Sequence, residues 1–304
     1  MNPLVVIVGP TATGKSRLAL QLARRFGGEI VNADSRLVYR YMDIGTAKPG
    51  RDETTLVPHH LIDIINPDED FNLAQYQRLV SKTVVDIQER GKLPLLVGGS
   101  GLYVWGVVEG WQVPEVAPDP AFRRQLEGRV ERGEVNELFR ELEQIDPAAA
   151  ARVDRLNPRR VIRALEIARD SKASQPRKVP PPYDILIIGL TTGRSELYRR
   201  IDTRVDGMIE QGLADEVKKL LEMGYSLELP AMSSIGYKQI GLFSKGEMTL
   251  EDAVQQIKTE THRLVRRQYN WFRLKDERIK WFDIEDAGFE SGVEGLVEGF
   301  INDN

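Results

Sequence analysis

Cysteine is absent from all 304 residues. That one absence excludes disulfides, thiolate zinc sites and a cysteine nucleophile, and it suits a reducing compartment. Long apolar runs are missing too, since nothing approaches the roughly 18 consecutive apolar residues of a spanning helix. The N-terminal run Leu4–Val8 stops at Gly9-Pro10, too short for the apolar part of a signal peptide and with no basic residue before it. A cytoplasmic protein with no membrane partner is expected. There is no basic excess either: 42 Lys and Arg face 46 Asp and Glu, for a net charge of −4. Any nucleic acid would therefore be held by local patches. What is present is ordinary for a globular chain, with 41% hydrophobic and 29% charged residues. The length allows one large domain or two smaller ones.

The β-branched run at residues 4–8 predicts a buried parallel strand. It feeds into Gly9-Pro10-Thr11-Ala12-Thr13-Gly14-Lys15-Ser16, which fits G-x-x-x-x-G-K-[ST] without mismatch. Leu18, Ala19, Leu22, Ala23 and Phe26 then recur at helical spacing until Gly27-Gly28. Such a loop aims backbone N–H groups at phosphate oxygens. The helix start and Lys15 add positive charge, and Ser16 is suited to ligate Mg²⁺. A second strand, 29–32, delivers Asp34 and Ser35 to the sheet edge where α/β ligands bind. From the residues alone, a functional role for Asp34 at the phosphates stands even with that of a helix-capping or Mg²⁺-bridging aspartate of the kind found in P-loop kinases. A helix over 72–90 and a strand over 93–97 follow, then the turn Gly98-Gly99-Ser100-Gly101.

The pattern changes at residues 113–120, which carry three prolines. Helical periodicity runs from 120 to 170, with helix starts signalled at Asp119-Pro120, Asp146-Pro147 and Asn157-Pro158. Prolines at 176 and 180–182 close this stretch before a strand at 185–190. The expected architecture is therefore α/β: a P-loop NTPase-like parallel sheet flanked by helices, with an all-helical insertion domain. Residues 1–115 and 184–304 form the core, and 116–183 the insertion.

Charge is local in this chain. Residues 119–170 hold 11 Lys and Arg against 11 Asp and Glu, so the insertion is not uniformly basic. Arg159, Arg160 and Arg163 cluster at one helix start, which fits either an RNA contact or a solvated face. Residues 258–280, read as a basic C-terminal helix, carry eight Lys and Arg against three acids. Their arginines suit an RNA backbone, while Tyr269, Trp271 and Phe272 read as core packing. Arg200 and Arg204, four residues apart, face one side of a helix and are placed to grip a diphosphate. His59 and His60 precede an apolar stretch and read as structural.

Several blocks together resemble the tRNA dimethylallyltransferases (tRNA isopentenyltransferases). They are Gly9–Ser16, Asp34-Ser35 with Tyr39, Met42–Pro49, Pro58–Asp63, Gly98–Tyr103 and Ser234–Gln239. The block Met42–Pro49 is specific to that family, whereas the P-loop alone is not. Ser100 stands where threonine is common, and segment 171–182 is shorter and more irregular than the family's linker. With no Cys/His finger, the chain resembles the bacterial type. The resemblance implies transfer of a dimethylallyl group from dimethylallyl pyrophosphate to N6 of adenosine 37, 3′ of the anticodon, with pyrophosphate released. The P-loop would then hold pyrophosphate rather than hydrolyse ATP. Catalytic roles are implied for Asp34 as base, Ser100 and Arg204, with Gly9, Pro10, Thr11, Ala12, Thr13, Gly14, Lys15 and Ser16 binding phosphate. Acceptor contacts are implied at Asp34, Ser35, Arg36, Leu37 and Ser100, and at Arg159, Arg160, Val161, Ile162 and Arg163. The implied partners are Mg²⁺ near Ser16 and a tRNA anticodon stem-loop, with the chain acting as a monomer. A P-loop small-molecule kinase, an enzyme that prenylates free adenine nucleotides and an RNA-binding module with a vestigial P-loop are the rival readings.

Overall fold

The computed structural model describes residues 2–112, 116, 119–170 and 177–303. Strand β1 (Pro3–Val8) runs through the loop 9–14 into α1 (Lys15–Phe26). Then come β2 (Gly28–Asn32), α2 (Arg51–Leu56), β3 (His59–His60), α3 (Leu73–Glu89), β4 (Leu93–Val97) and α4 (Gly101–Val108). A separate compact unit spans Trp111–Val179. It contains β5 (Trp111–Gln112), α5 (Pro120–Glu131), α6 (Val135–Ile145), α7 (Pro147–Ala150), α8 (Pro158–Arg169) and β6 (Arg177–Lys178), the last antiparallel to β5. The chain returns to the first unit with β7 (Asp184–Thr191), α9 (Arg194–Glu210), α10 (Leu213–Glu222), α11 (Tyr237–Ser244), α12 (Leu250–Trp271), β8 (Ile279–Asp283) and α13 (Phe289–Asn302).

The sheet order is β3-β2-β4-β1-β7-β8, and every pairing is parallel. This is the α/β architecture expected. β1, β2 and β4 are buried end to end, apart from the first residue of β1, as strands covered on both faces must be. One face packs Val5, Ile7, Leu95 and Ile188 under Leu18 and Leu22 of α1 and Val293 and Val297 of α13. A second core joins α9–α12 to Val38, Tyr39 and Met42. The sheet aligns its strand ends: Asn32 pairs with Val97, which pairs with Ile7. The loops leaving β2, β4 and β1 therefore emerge side by side.

Within Trp111–Val179, Leu126, Leu138, Leu142, Val161, Ile162 and Leu165 form a core of their own. All three X-Pro signals cap real helices: Asp119 accepts from Ala121 and Phe122, Asp146 from Ala149, and Asn157 from Arg160. The proline-bearing residues 113–115, 117 and 118 and the segment 171–176 lie outside the described residues. At the C-terminus the sequence reading needs correction. The helix over 258–280 ends at Trp271, and residues 279–283 join the sheet as β8. The strand is only 5 residues long, and the order Ile279, Lys280, Trp281, Phe282, Asp283 leaves little alternation to read.

Candidate functional site

Loop geometry starts from glycine. Gly14 adopts φ +85°, a left-handed turn that lets the chain enter α1 with its N–H groups free to face an anion. Ala12 holds φ +70°, a cost that a site loop can carry. Lys15 folds beneath this loop, its Nζ donating to the Pro10 carbonyl at 2.7 Å, and the Thr13 hydroxyl donates to the same oxygen at 2.9 Å. Burial pulls the Lys15 ammonium down to about pKa 8; Asp34 opposes that shift and Arg204 adds to it. Burial also lowers Arg204, again opposed by Asp34. Lys15, Asp34 and Arg204 thus feel one another as a single electrostatic group.

Asn32, at the end of β2, shapes the Asp34 turn. Its Oδ1 accepts the Asp34 N–H at 2.7 Å, and its Nδ2 donates to the Asp34 carbonyl at 2.9 Å and the Leu61 carbonyl at 3.0 Å. Tyr76 of α3 donates to the Asn32 carbonyl at 2.9 Å. Asp34 Oδ1 then accepts the Arg36 N–H at 2.9 Å, and Oδ2 makes no hydrogen bond among the described residues. Ser100 Oγ accepts the Ser35 N–H at 2.9 Å and donates to Ser35 Oγ at 3.2 Å. A cavity of about 780 Å³ opens here, lined by Thr11, Asp34, Ser35, Arg36, Ser100 and Arg204 among others. That is within the size range of ligand sites. Its lining also includes the apolar Val205, Met208, Leu242, Ile257 and Leu264.

The cavity therefore gathers Asp34, Ser35, Arg36, Ser100 and Arg204 from the sequence reading, while Leu37 lies beside it with its carbonyl accepting from Asp63. Two expectations change. Arg200 does not join Arg204, because its Nε is held by Glu196 at 2.7 Å. Thr11 does not offer a free amide, since its N–H donates to Gln268 Oε1 at 2.9 Å.

The arginine cluster of α8 also divides. Arg159 and Arg160 are exposed and form no ion pair among the described residues. Val161 and Ile162 are buried in the core of their unit, so their side chains cannot face an RNA. Arg163 is tied to Glu166 at 3.2 Å and to the Val116 carbonyl at 3.1 Å. Helical geometry explains the split, because successive residues 100° apart cannot all face solvent. On α12 and beyond, Lys258 pairs with Asp206, Arg263 with Glu260 and Arg278 with Asp276. Arg266, Arg267, Arg273, Lys275 and Lys280 are exposed and form no ion pair among the described residues. His59 Nδ1 lies 2.8 Å from the Val57 carbonyl and His60 Nε2 2.7 Å from Glu29, both structural as expected.

Sequence reading missed three groups. Asn32 and Gln268 are lone polar residues whose buried positions show only in the fold. Glu216 is the third: its carboxylate accepts the N–H groups of Asp43, Ile44 and Gly45 and the Tyr237 hydroxyl. It thereby fixes the Met42–Pro49 block, where the Gly45 Cα packs on the Tyr237 ring.

For a divalent metal, no group of three or more His, Cys, Asp or Glu able to hold one occurs among the described residues. The Ser16 hydroxyl is exposed and makes no hydrogen bond among them. That donor set fits a hard cation carried largely by phosphate oxygens and water, with one protein hydroxyl. No described helix is long and apolar enough to cross a membrane.

Residues 37–275 match the family model described as IPP transferase, more than three quarters of the chain. The chain is 53% identical over 276 residues to the tRNA dimethylallyltransferase of Roseiflexus castenholzii, covering 90% of each. It is 47% identical to that of Dehalococcoides mccartyi, covering all of this chain and 94% of the relative. The crystal structure of the tRNA isopentenylpyrophosphate transferase of Bacillus halodurans superposes with a TM-score of 0.74. It is 41% identical and covers 100% and 98% of the two chains.

Proposed function

We propose a function from the premise that this chain belongs to the IPP transferase family: it is a tRNA dimethylallyltransferase. It moves a dimethylallyl group from dimethylallyl pyrophosphate to N6 of adenosine 37 in tRNA. The observation that carries this reading is the cavity that Asp34, Ser100 and Arg204 line together with Thr11 of the P-loop, with Lys15 in electrostatic reach of Asp34 and Arg204.

The adenine amino group is a poor nucleophile because its lone pair is delocalised into the ring. Asp34 Oδ2 accepts a proton from N6 as the new N–C bond forms and the allylic C–O bond breaks. The bonding pair leaves with pyrophosphate. Lys15, Arg204 and the amides of residues 12–16 stabilise that growing charge. Ser100, anchored on Ser35, orients the amino group. Val205, Met208, Leu242, Ile257 and Leu264 offer the prenyl chain apolar surface. When bound, Mg²⁺ beside Ser16 supplies further charge to the leaving oxygens. The adenine must be extruded from the anticodon loop, at about a few kcal/mol for an unpaired base. Arg159 and Arg160, with the unpaired basic residues after Lys258, grip the acceptor's phosphates. A tRNA acceptor fits the cytoplasmic location expected from the sequence.

Incubation with labelled dimethylallyl pyrophosphate, unmodified tRNA and Mg²⁺ should yield N6-(dimethylallyl)adenosine on nucleoside digestion. ADP formed from ATP, with no label in tRNA, would instead indicate a kinase.

A further inference from the structure

Gln268 extends from α12 into the space between the anion loop and the acceptor cluster, and it is only 5% exposed. Its Oε1 accepts the Thr11 N–H at 2.9 Å, and its Nε2 donates to the Gly99 carbonyl at 3.1 Å. The two loops it joins follow the neighbouring strands β1 and β4. One carries the phosphate-facing amides, the other Ser100. The fit is close, since a Cβ at Gly99 would lie 2.3 Å from Gln268 Nε2. One turn on, Trp271 packs against Gly101, where a Cβ would meet its ring at 2.2 Å. The Trp271 carbonyl accepts Trp105 Nε1 at 3.0 Å.

A primary amide accepts from an N–H and donates to a carbonyl at once without bringing charge into a buried wall. We propose that Gln268 is a positioning residue for prenyl transfer. It sets the spacing between the pyrophosphate cradle and the Asp34–Ser35–Ser100 cluster and keeps the Thr11 amide out of the phosphate-binding set. It acts through Thr11 and Gly99 and takes no proton. The proposal rests on the prenyl-transfer reading. Misplacement of reacting groups by about 1 Å can cost about 10²-fold in rate, so a two-point clasp at this junction bears on turnover and not on the affinity of either substrate.

Two substitutions test it, read as single-turnover prenyl transfer. In Gln268→Glu a protonated carboxyl offers one carbonyl and one O–H, replacing both contacts. The ionised form loses the donor and faces the Gly99 carbonyl. At pH 8.5, where the carboxyl is ionised, this enzyme's turnover should lie about tenfold or more below wild type, with the KM for dimethylallyl pyrophosphate changing less than about threefold. In Gln268→Met both contacts are lost at every pH. Turnover should fall about 10²-fold while pyrophosphate affinity stays within about threefold. A Gln268→Glu enzyme with turnover within threefold of wild type at pH 8.5 overturns the proposal. So does a Gln268→Met enzyme within threefold of wild type, or one whose pyrophosphate affinity falls in step with its turnover. Should Gln268→Met fail to fold, the turnover and KM of Gln268→Glu at pH 8.5 decide. A wild-type protein that forms no prenylated nucleoside removes the functional reading itself, and this proposal with it.

Discussion

Asp34 and Lys15 show how one residue's surroundings decide its chemistry. Asn32 pins the Asp34 backbone from both sides, so the carboxylate is aimed without any charged partner holding its free oxygen. Lys15 is drawn down to about pKa 8 by burial, with Asp34 partly restoring its charge and Arg204 reducing it. Because its pKa is lowered, Lys15 is charged below that value and becomes neutral as pH rises through it. A bound diphosphate returns the proton, so binding takes up a proton above pH 8. The dissociation constant for dimethylallyl pyrophosphate should therefore rise, by up to about tenfold per pH unit above pH 8. Titration calorimetry across that range measures it, and Lys15→Met should bind weakly with no such slope. A wild-type affinity unchanged from pH 7.5 to 9.5 would count against a charged Lys15 in the cradle.

At the level of elements, the site is made by three strand ends that the sheet holds in register. The turn after β4 presses on the segment after β2, so that a Cβ at Gly98 would sit 2.2 Å from the Ala33 carbonyl. Gly98→Ala must push these segments apart, costing about 1–3 kcal/mol of stability and pulling Ser100 from Ser35. Denaturant unfolding measures the cost, and an unchanged midpoint would contradict the tight contact. Much of this level was readable in advance. The β-branched run 4–8, the P-loop and the X-Pro caps carry local signals whose physics needs no tertiary context. Gln268 shows where reading stopped. It belongs to the buried stripe Ala253, Ile257, Thr261, Val265 and Gln268 of α12. A polar residue in an apolar stripe is a signal, but its partners, Thr11 and Gly99, lie far away in sequence. Arg163 and Arg200 show the same limit: helical spacing gives a side chain's direction, while their ion-pair partners Glu166 and Glu196 show only in the fold.

Across the whole molecule, a net charge of −4 is reconciled with an RNA partner by unpaired basic residues at particular places. Arg159 and Arg160 stay exposed, while Arg163 shares Glu166 with Arg123. Replacing both Arg159 and Arg160 by alanine should reduce the slope of log affinity for tRNA against log salt by about 1.4–1.8, the share of two phosphate contacts. Filter binding from low to moderate salt reads that slope, and an unaltered value would return both arginines to a solvated surface. The larger claim is that pyrophosphate cradle and proton-accepting carboxylate share one cavity, so that prenyl donor and adenine react there directly. Its most direct test is single-turnover prenyl transfer by Asp34→Ala with both substrates saturating. Turnover should fall by about 10²–10⁴ with tRNA affinity within about threefold of wild type; transfer at the wild-type rate would contradict the account.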